Sequence, residues 1–91
     1  KEIITRQWNN SNNMWLVRSS IIFQLKYKEK VDLELLSELL TPHLDSKEFF
    51  IQKAIGWSLR QVSKTFPEFV RVFIASHDLK PISRREAIKY I

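Results

Sequence analysis

A pattern of apolar and aromatic residues recurs in this chain at an offset of thirty-four positions. Trp15-Leu16-Val17 corresponds to Phe49-Phe50-Ile51, Ile21 to Ile55, Phe23 to Trp57, Leu25 to Leu59 and Lys26 to Arg60. Within the second copy, Ile51, Ala54, Ile55, Leu59 and Val62 follow the 3.6-residue period of a helix with one buried stripe. A repeat of this length with helical periodicity is one pair of helices, which cannot bury its apolar face alone and must stack on a neighbour. The expected fold is therefore all-α, with antiparallel helix pairs stacked as an α-solenoid of the HEAT or armadillo type. Its units are a repeat over 13–41, a second over 46–77 and a terminal helix over 83–91.

Composition supports this class. With one Gly and three Pro in 91 residues, the chain lacks the turn residues that an all-β fold requires at every hairpin. The absence of Cys excludes a disulfide framework, a Cys-ligated zinc and a thiol nucleophile. No apolar run is long enough to span a membrane. Helices are expected near 1–8, 13–27, 32–41, 46–64, 66–77 and 83–91. Capping boxes are read at Asp45…Glu48, Thr65…Glu68 and Ser83…Glu86. Pro67 suits a first helical turn, and Pro42 and Pro81 act as stops between segments.

The net charge of +5 is unevenly distributed. Segment 32–46 carries −4, whereas 1–31 carries +4, 47–64 carries +3 and 80–91 carries +3. Such alternation is expected where alternate helices line one basic face, and a basic face is the electrostatic footprint of a nucleic-acid binder. The sharpest local signal is Lys53, Trp57, Arg60 and Lys64, spaced by four, three and four residues on the stripe away from the core. Trp57 in that company suits stacking on a sugar or base beside phosphates, against the alternative of a partly buried packing residue. Arg18 interrupts an apolar stretch from Met14 to Leu25, so it needs either an acidic partner from the intervening helix or a ligand.

Other residues have simpler readings. Trp8 and Trp15 are expected in the core, and His43 as a surface cation at a helix end. Asp32, Asp45 and Asp78 are assigned to helix ends, where a carboxylate can cap. His43 and His77, thirty-four residues apart, have no metal-ligand spacing, and no cofactor motif or catalytic triad is present. From the residues alone, a protein-interaction scaffold and a noncatalytic DNA binder stand beside an enzyme.

The stretch Lys47-Glu48-Phe49-Phe50-Ile51-Gln52-Lys53-Ala54-Ile55-Gly56-Trp57-Ser58-Leu59-Arg60 strongly resembles the signature of the AlkD-type DNA alkylation repair family. Trp15-Leu16-Val17-Arg18 with Ile21-Ile22-Phe23-Gln24-Leu25-Lys26-Tyr27 resembles its preceding repeat. Pro81-Ile82-Ser83-Arg84-Arg85-Glu86-Ala87-Ile88-Lys89 is similar to its C-terminal one.

The resemblance implies a cytoplasmic DNA glycosylase built from HEAT-like repeats, without metal or cofactor. Such an enzyme holds double-stranded DNA in a concave basic groove and excises cationic 3-alkyladenine and 7-alkylguanine. By the same resemblance Trp57 is a cleft tryptophan against the lesion's sugar, and Arg18 contacts the DNA backbone beside Lys53, Arg60 and Lys64. The family's catalytic Asp belongs to the repeat before Arg18, and residues 1–13 offer Trp8 but no Asp. The resemblance thus makes the chain the C-terminal portion of a longer enzyme, with the N-terminal repeats of the same protein as its partner. Taken by itself, the chain is expected to release no base.

Overall fold

The computed structural model describes residues 2–23 and 32–91, with side chains from Thr5 onward. Among the described residues six α-helices follow one another: α1 (Glu2–Asn9), α2 (Met14–Ile22), α3 (Leu33–Leu40), α4 (Phe49–Ser63), α5 (Pro67–Ser76) and α6 (Pro81–Ala87). A 3₁₀ turn, Thr41–His43, extends α3. There is no strand among the described residues. The all-α expectation holds. Leu25, Lys26 and Tyr27, with the expected end of the second helix, lie outside the described residues.

Local chemistry sets where the helices begin. Asn13 Oδ1 accepts from the amides of Trp15 (2.9 Å) and Leu16 (3.4 Å), capping α2. Asp32 Oδ1 accepts from the Leu35 amide at 3.0 Å and caps α3. Pro67 and Pro81 occupy the first turns of α5 and α6, where the missing amide hydrogen would have had no partner.

None of the three expected capping boxes forms. Helix α4 starts at Phe49 with Glu48 itself as the cap residue, so Asp45 is too far away. Phe66 occupies the cap position of α5 in place of Thr65. Pro81 starts α6 rather than ending the preceding segment, which puts Ser83 and Glu86 inside the helix.

Helix α4 is central. It packs against α2 on one side and α6 on the other, and also against α5; α1 and α3 pack on α2. Ile51, Ile55 and Leu59 face a core that also takes in Ile21, Leu36, Leu40, Val70 and Phe73. Trp8 and Trp15 do not join it, being 36% and 55% exposed. The inward stripe of α2 is Val17 and Ile21, and Trp15, two residues before Val17, falls on the opposite face. Among the described side chains of α1 the buried ones are Thr5 and Asn9, which leaves Trp8 at the edge.

Polar groups tie the layers together. Asn9 is buried and donates through Nδ2 to Ser20 Oγ (3.0 Å) and the Leu39 carbonyl (2.8 Å). His43 donates from Nε2 to the Asn9 carbonyl at 2.8 Å, so it is a half-buried link between α1 and the end of α3 rather than a free surface cation. Gln52, 2% exposed, shares its Nε2 among the carbonyls of His43 (3.3 Å), Leu44 (3.1 Å) and Ser46 (2.7 Å). Ser83 Oγ is within hydrogen-bonding distance of both the carbonyl (2.9 Å) and Oε1 of Gln52.

Gly56 allows the approach of α6. A Cβ there would lie 2.8 Å from the Ser83 carbonyl oxygen, 2.9 Å from Glu86 Cβ and 3.0 Å from Ser83 Cα. Two of these are backbone atoms, so the helices themselves would have to separate. An ordinary Gly→Ala change in a helix stabilises by about 1 kcal/mol. Overpacking of this kind costs about 1–3 kcal/mol and should win. Gly56→Ala is therefore expected to lower the thermal midpoint, and a raised midpoint would show that α4 and α6 are not in such close contact.

Gln52→Ala strands the loop carbonyls of His43, Leu44 and Ser46, at a cost of roughly 2–3 kcal/mol, while the Ser83 hydroxyl keeps the main-chain carbonyl of residue 52. Denaturant unfolding measures it; a change under 0.5 kcal/mol would mean that water takes over these bonds.

Candidate nucleic-acid interface

The helix row α2–α4–α6 leaves a cleft of about 360 Å³ on the side of α4 away from Ile51, Ile55 and Leu59. Helix α2 supplies Arg18 and Ile22; α4 supplies Phe50, Lys53, Ala54 and Trp57; α6 supplies Glu86. Lys53 and Trp57 are one turn apart on the outward stripe, with the small Ala54 beside them. Trp57 is 42% exposed, which makes its ring available to a ligand.

Arg18 is half-buried and lines the cleft. Among the described residues it has no carboxylate within ion-pair range, and Glu38 of the intervening helix is bound by Arg6 instead. Of the two readings of Arg18, the ion pair with that helix is thus not found among the described residues. Lys53 is exposed, with Nζ 5.6 Å from the centroid of Phe49. Phe49 and Phe50 meet edge to face at 5.4 Å, and Phe50 lies 5.5 Å from Trp15. The exposed aromatics at the starts of α2 and α4 thus continue the rim of the cleft.

Arg60 and Lys64 lie further along α4, next to Tyr90. Arg60 donates from Nη1 to Glu86 Oε1 at 3.1 Å and from Nη2 to the Tyr90 hydroxyl at 3.0 Å, while its Nε is buried without a partner among the described residues. Lys64 is exposed, with Nζ 5.2 Å from the Tyr90 ring centroid. The hydrogen bond from Arg60 holds the Tyr90 phenol below its ordinary range, and the same bond raises the guanidinium. The structure therefore gathers Arg18, Lys53 and Trp57 around one cleft and sets Arg60 and Lys64 beside it.

Sequence reasoning missed Glu86. Its three-residue spacing from Ser83 resembles a cap, but the position of Pro81 was the usable signal. With proline at the first helical position, Ser83 is already the third residue of the helix and cannot cap it.

Among the described residues, no group of three or more His, Asp or Glu side chains is placed to hold a metal ion. Nor is any described helix long and apolar enough to cross a membrane.

Comparison with known proteins gives this arrangement a context. Over residues 2–91 the chain matches the model of a family described as DNA alkylation repair enzyme. A solved structure from Enterococcus faecalis, described as a predicted DNA alkylation repair enzyme, superimposes with a TM-score of 0.93 at 40% identity. That match covers 98% of this chain and 42% of the other, so the chain spans less than half of that protein's length. Among curated proteins none matches significantly. The aromatic and basic cleft lies within the matched region, and the chain belongs to the DNA alkylation repair enzyme family.

Proposed function

We propose that the chain forms part of a DNA glycosylase that removes cationic alkylated purines from duplex DNA, the helix row α2–α4–α6 being its DNA-facing surface. The observation that carries this reading is the convergence of Arg18, Lys53 and the half-exposed Trp57 on one cleft, in a chain of the alkylation repair family. Two cations attract the phosphates on either side of a lesion. The indole offers a flat, polarisable face to the sugar between them, where positive charge grows as the glycosidic bond breaks. A purine alkylated at N3 or N7 already carries a positive charge and leaves as a neutral base, so little acid catalysis is required of the protein.

The division of labour follows from the chemistry. Arg18 and Lys53 hold the backbone, Trp57 packs against the sugar, and Lys64 and Arg60 extend the basic track toward the C-terminus. In this reading the carboxylate that stabilises the sugar and positions water comes from helices N-terminal to α1. The resulting groove is the inner face of a HEAT-like superhelix.

Arg18→Ala is expected to weaken duplex binding and to reduce the slope of log K against log salt by about one charge. Equal slopes for the two proteins would remove Arg18 from the interface, and a flat slope for the unmodified chain would favour a protein-interaction scaffold. In the full-length enzyme, Trp57→Ala should lower the single-turnover rate of 7-methylguanine release more than it lowers affinity. An affinity loss alone would make the ring a binding contact only.

A further inference from the structure

The cleft contains one carboxylate, from Glu86, among two cations and two aromatic rings. Neither the capping role suggested by the sequence nor phosphate binding explains it, since a carboxylate repels phosphate. Its ion pair with Arg60 is partly exposed, the two side chains being 27% and 24% accessible, and pairs in such settings contribute little to stability. The geometry instead leaves the group available. Oε1 accepts from Arg60 Nη1, and Oε2 accepts no hydrogen bond among the described residues. Arg60 is in turn held by Tyr90, so the carboxylate is anchored at one oxygen and open at the other. Gly56 adds to this: a Cβ there would lie only 2.9 Å from Glu86 Cβ, so the absence of a side chain lets the base of Glu86 sit close to α4, at the position next to Trp57.

An anchored carboxylate that lines one cleft with an exposed indole suits cations: the carboxylate supplies charge and the ring its negative face. Anchoring by Arg60 offsets its charge enough for DNA to approach and leaves one oxygen to meet positive charge at short range. Resting on the glycosylase reading above, we propose that Glu86 is a substrate-contacting residue that stabilises the positive charge developing on the deoxyribose packed against Trp57. It acts as a second carboxylate, from the C-terminal side of the cleft, and Arg60 and Tyr90 are its positioning residues.

The test uses two duplexes that differ in charge at a single site. One carries a pyrrolidine abasic analogue, protonated at neutral pH, and the other its neutral tetrahydrofuran counterpart. Fluorescence anisotropy compares their affinities for the 91-residue chain and its variants. The unmodified chain should prefer the cationic duplex by about tenfold, the size expected of one charge-assisted contact. Glu86→Gln should abolish that preference, read as the ratio of the two affinities, and Glu86→Asp, which keeps the charge, should retain most of it. A purely structural role would lower both affinities together and leave their ratio unchanged, and that outcome overturns the proposal. Equal affinities for the two duplexes in the unmodified chain also overturn it, whatever the variants do, while leaving DNA binding itself intact. If neither duplex nor undamaged DNA binds, the glycosylase reading fails and Glu86 loses its role with it.

Discussion

The structure depends on how closely α6 lies against α4, and a missing side chain sets that distance. At Gly56 the backbone of α6 passes so near that even a methyl group would meet the Ser83 carbonyl at 2.8 Å. Helix α4 is also the element on which α2 and α5 pack, so its placement carries the core and the outward stripe together. The buried pair of Gln52 and Ser83 fixes the same contact by polar chemistry. One end of Gln52 gathers the carbonyls that close the loop before α4, and the other meets the first turn of α6. Apolar burial drives these helices together, whereas these two positions determine how near they come and in which register.

That register has a direct consequence for the cleft. If α6 stood further from α4, Glu86 would retreat from Trp57 and its bond to Arg60 would lengthen. The cleft would become an open shelf with two cations. With α6 in place, it combines positive charge for phosphates, aromatic faces for sugar or base, and one anchored negative charge. In the proposed reading, this mixture serves a nucleotide that is itself partly cationic, since basic side chains alone would serve undamaged DNA.

Much of this was legible in the sequence, for reasons that can be traced to particular residues. The stripe of Ile51, Ile55 and Leu59 is set by helical geometry and needs no knowledge of its partners, and all three are buried. That Lys53 and Trp57 lie off this stripe could be read, because a tryptophan among cations contradicts it, and both line the cleft. The Gly56 contact could not be read, since an isolated glycine in a helix does not reveal which backbone approaches it. Gln52 and Ser83 were equally silent, because each acquires its role from a partner thirty-one positions away. Trp15, expected in the core, is exposed instead, because its place on the helix wheel, opposite Val17, decides its exposure. Glu86 is hidden by a capping pattern whose spacing is correct but which puts the cap at Ser83, three residues after the actual cap position, Lys80.

The claim that α2, α4 and α6 face the DNA is tested most directly by locating bound duplex on the folded chain. Titration of an isotope-labelled sample with a short duplex, followed by amide and indole N–H resonances, reports position independently of affinity. The expected result is that the largest shifts fall on Arg18, Lys53 and Trp57, including the Trp57 indole, while buried core amides of α3 and α5 such as Leu36 and Val70 stay in place. Shifts concentrated on the outward residues of α3 and α5, with the Trp57 indole unmoved, would place the nucleic acid on the opposite face and contradict this assignment.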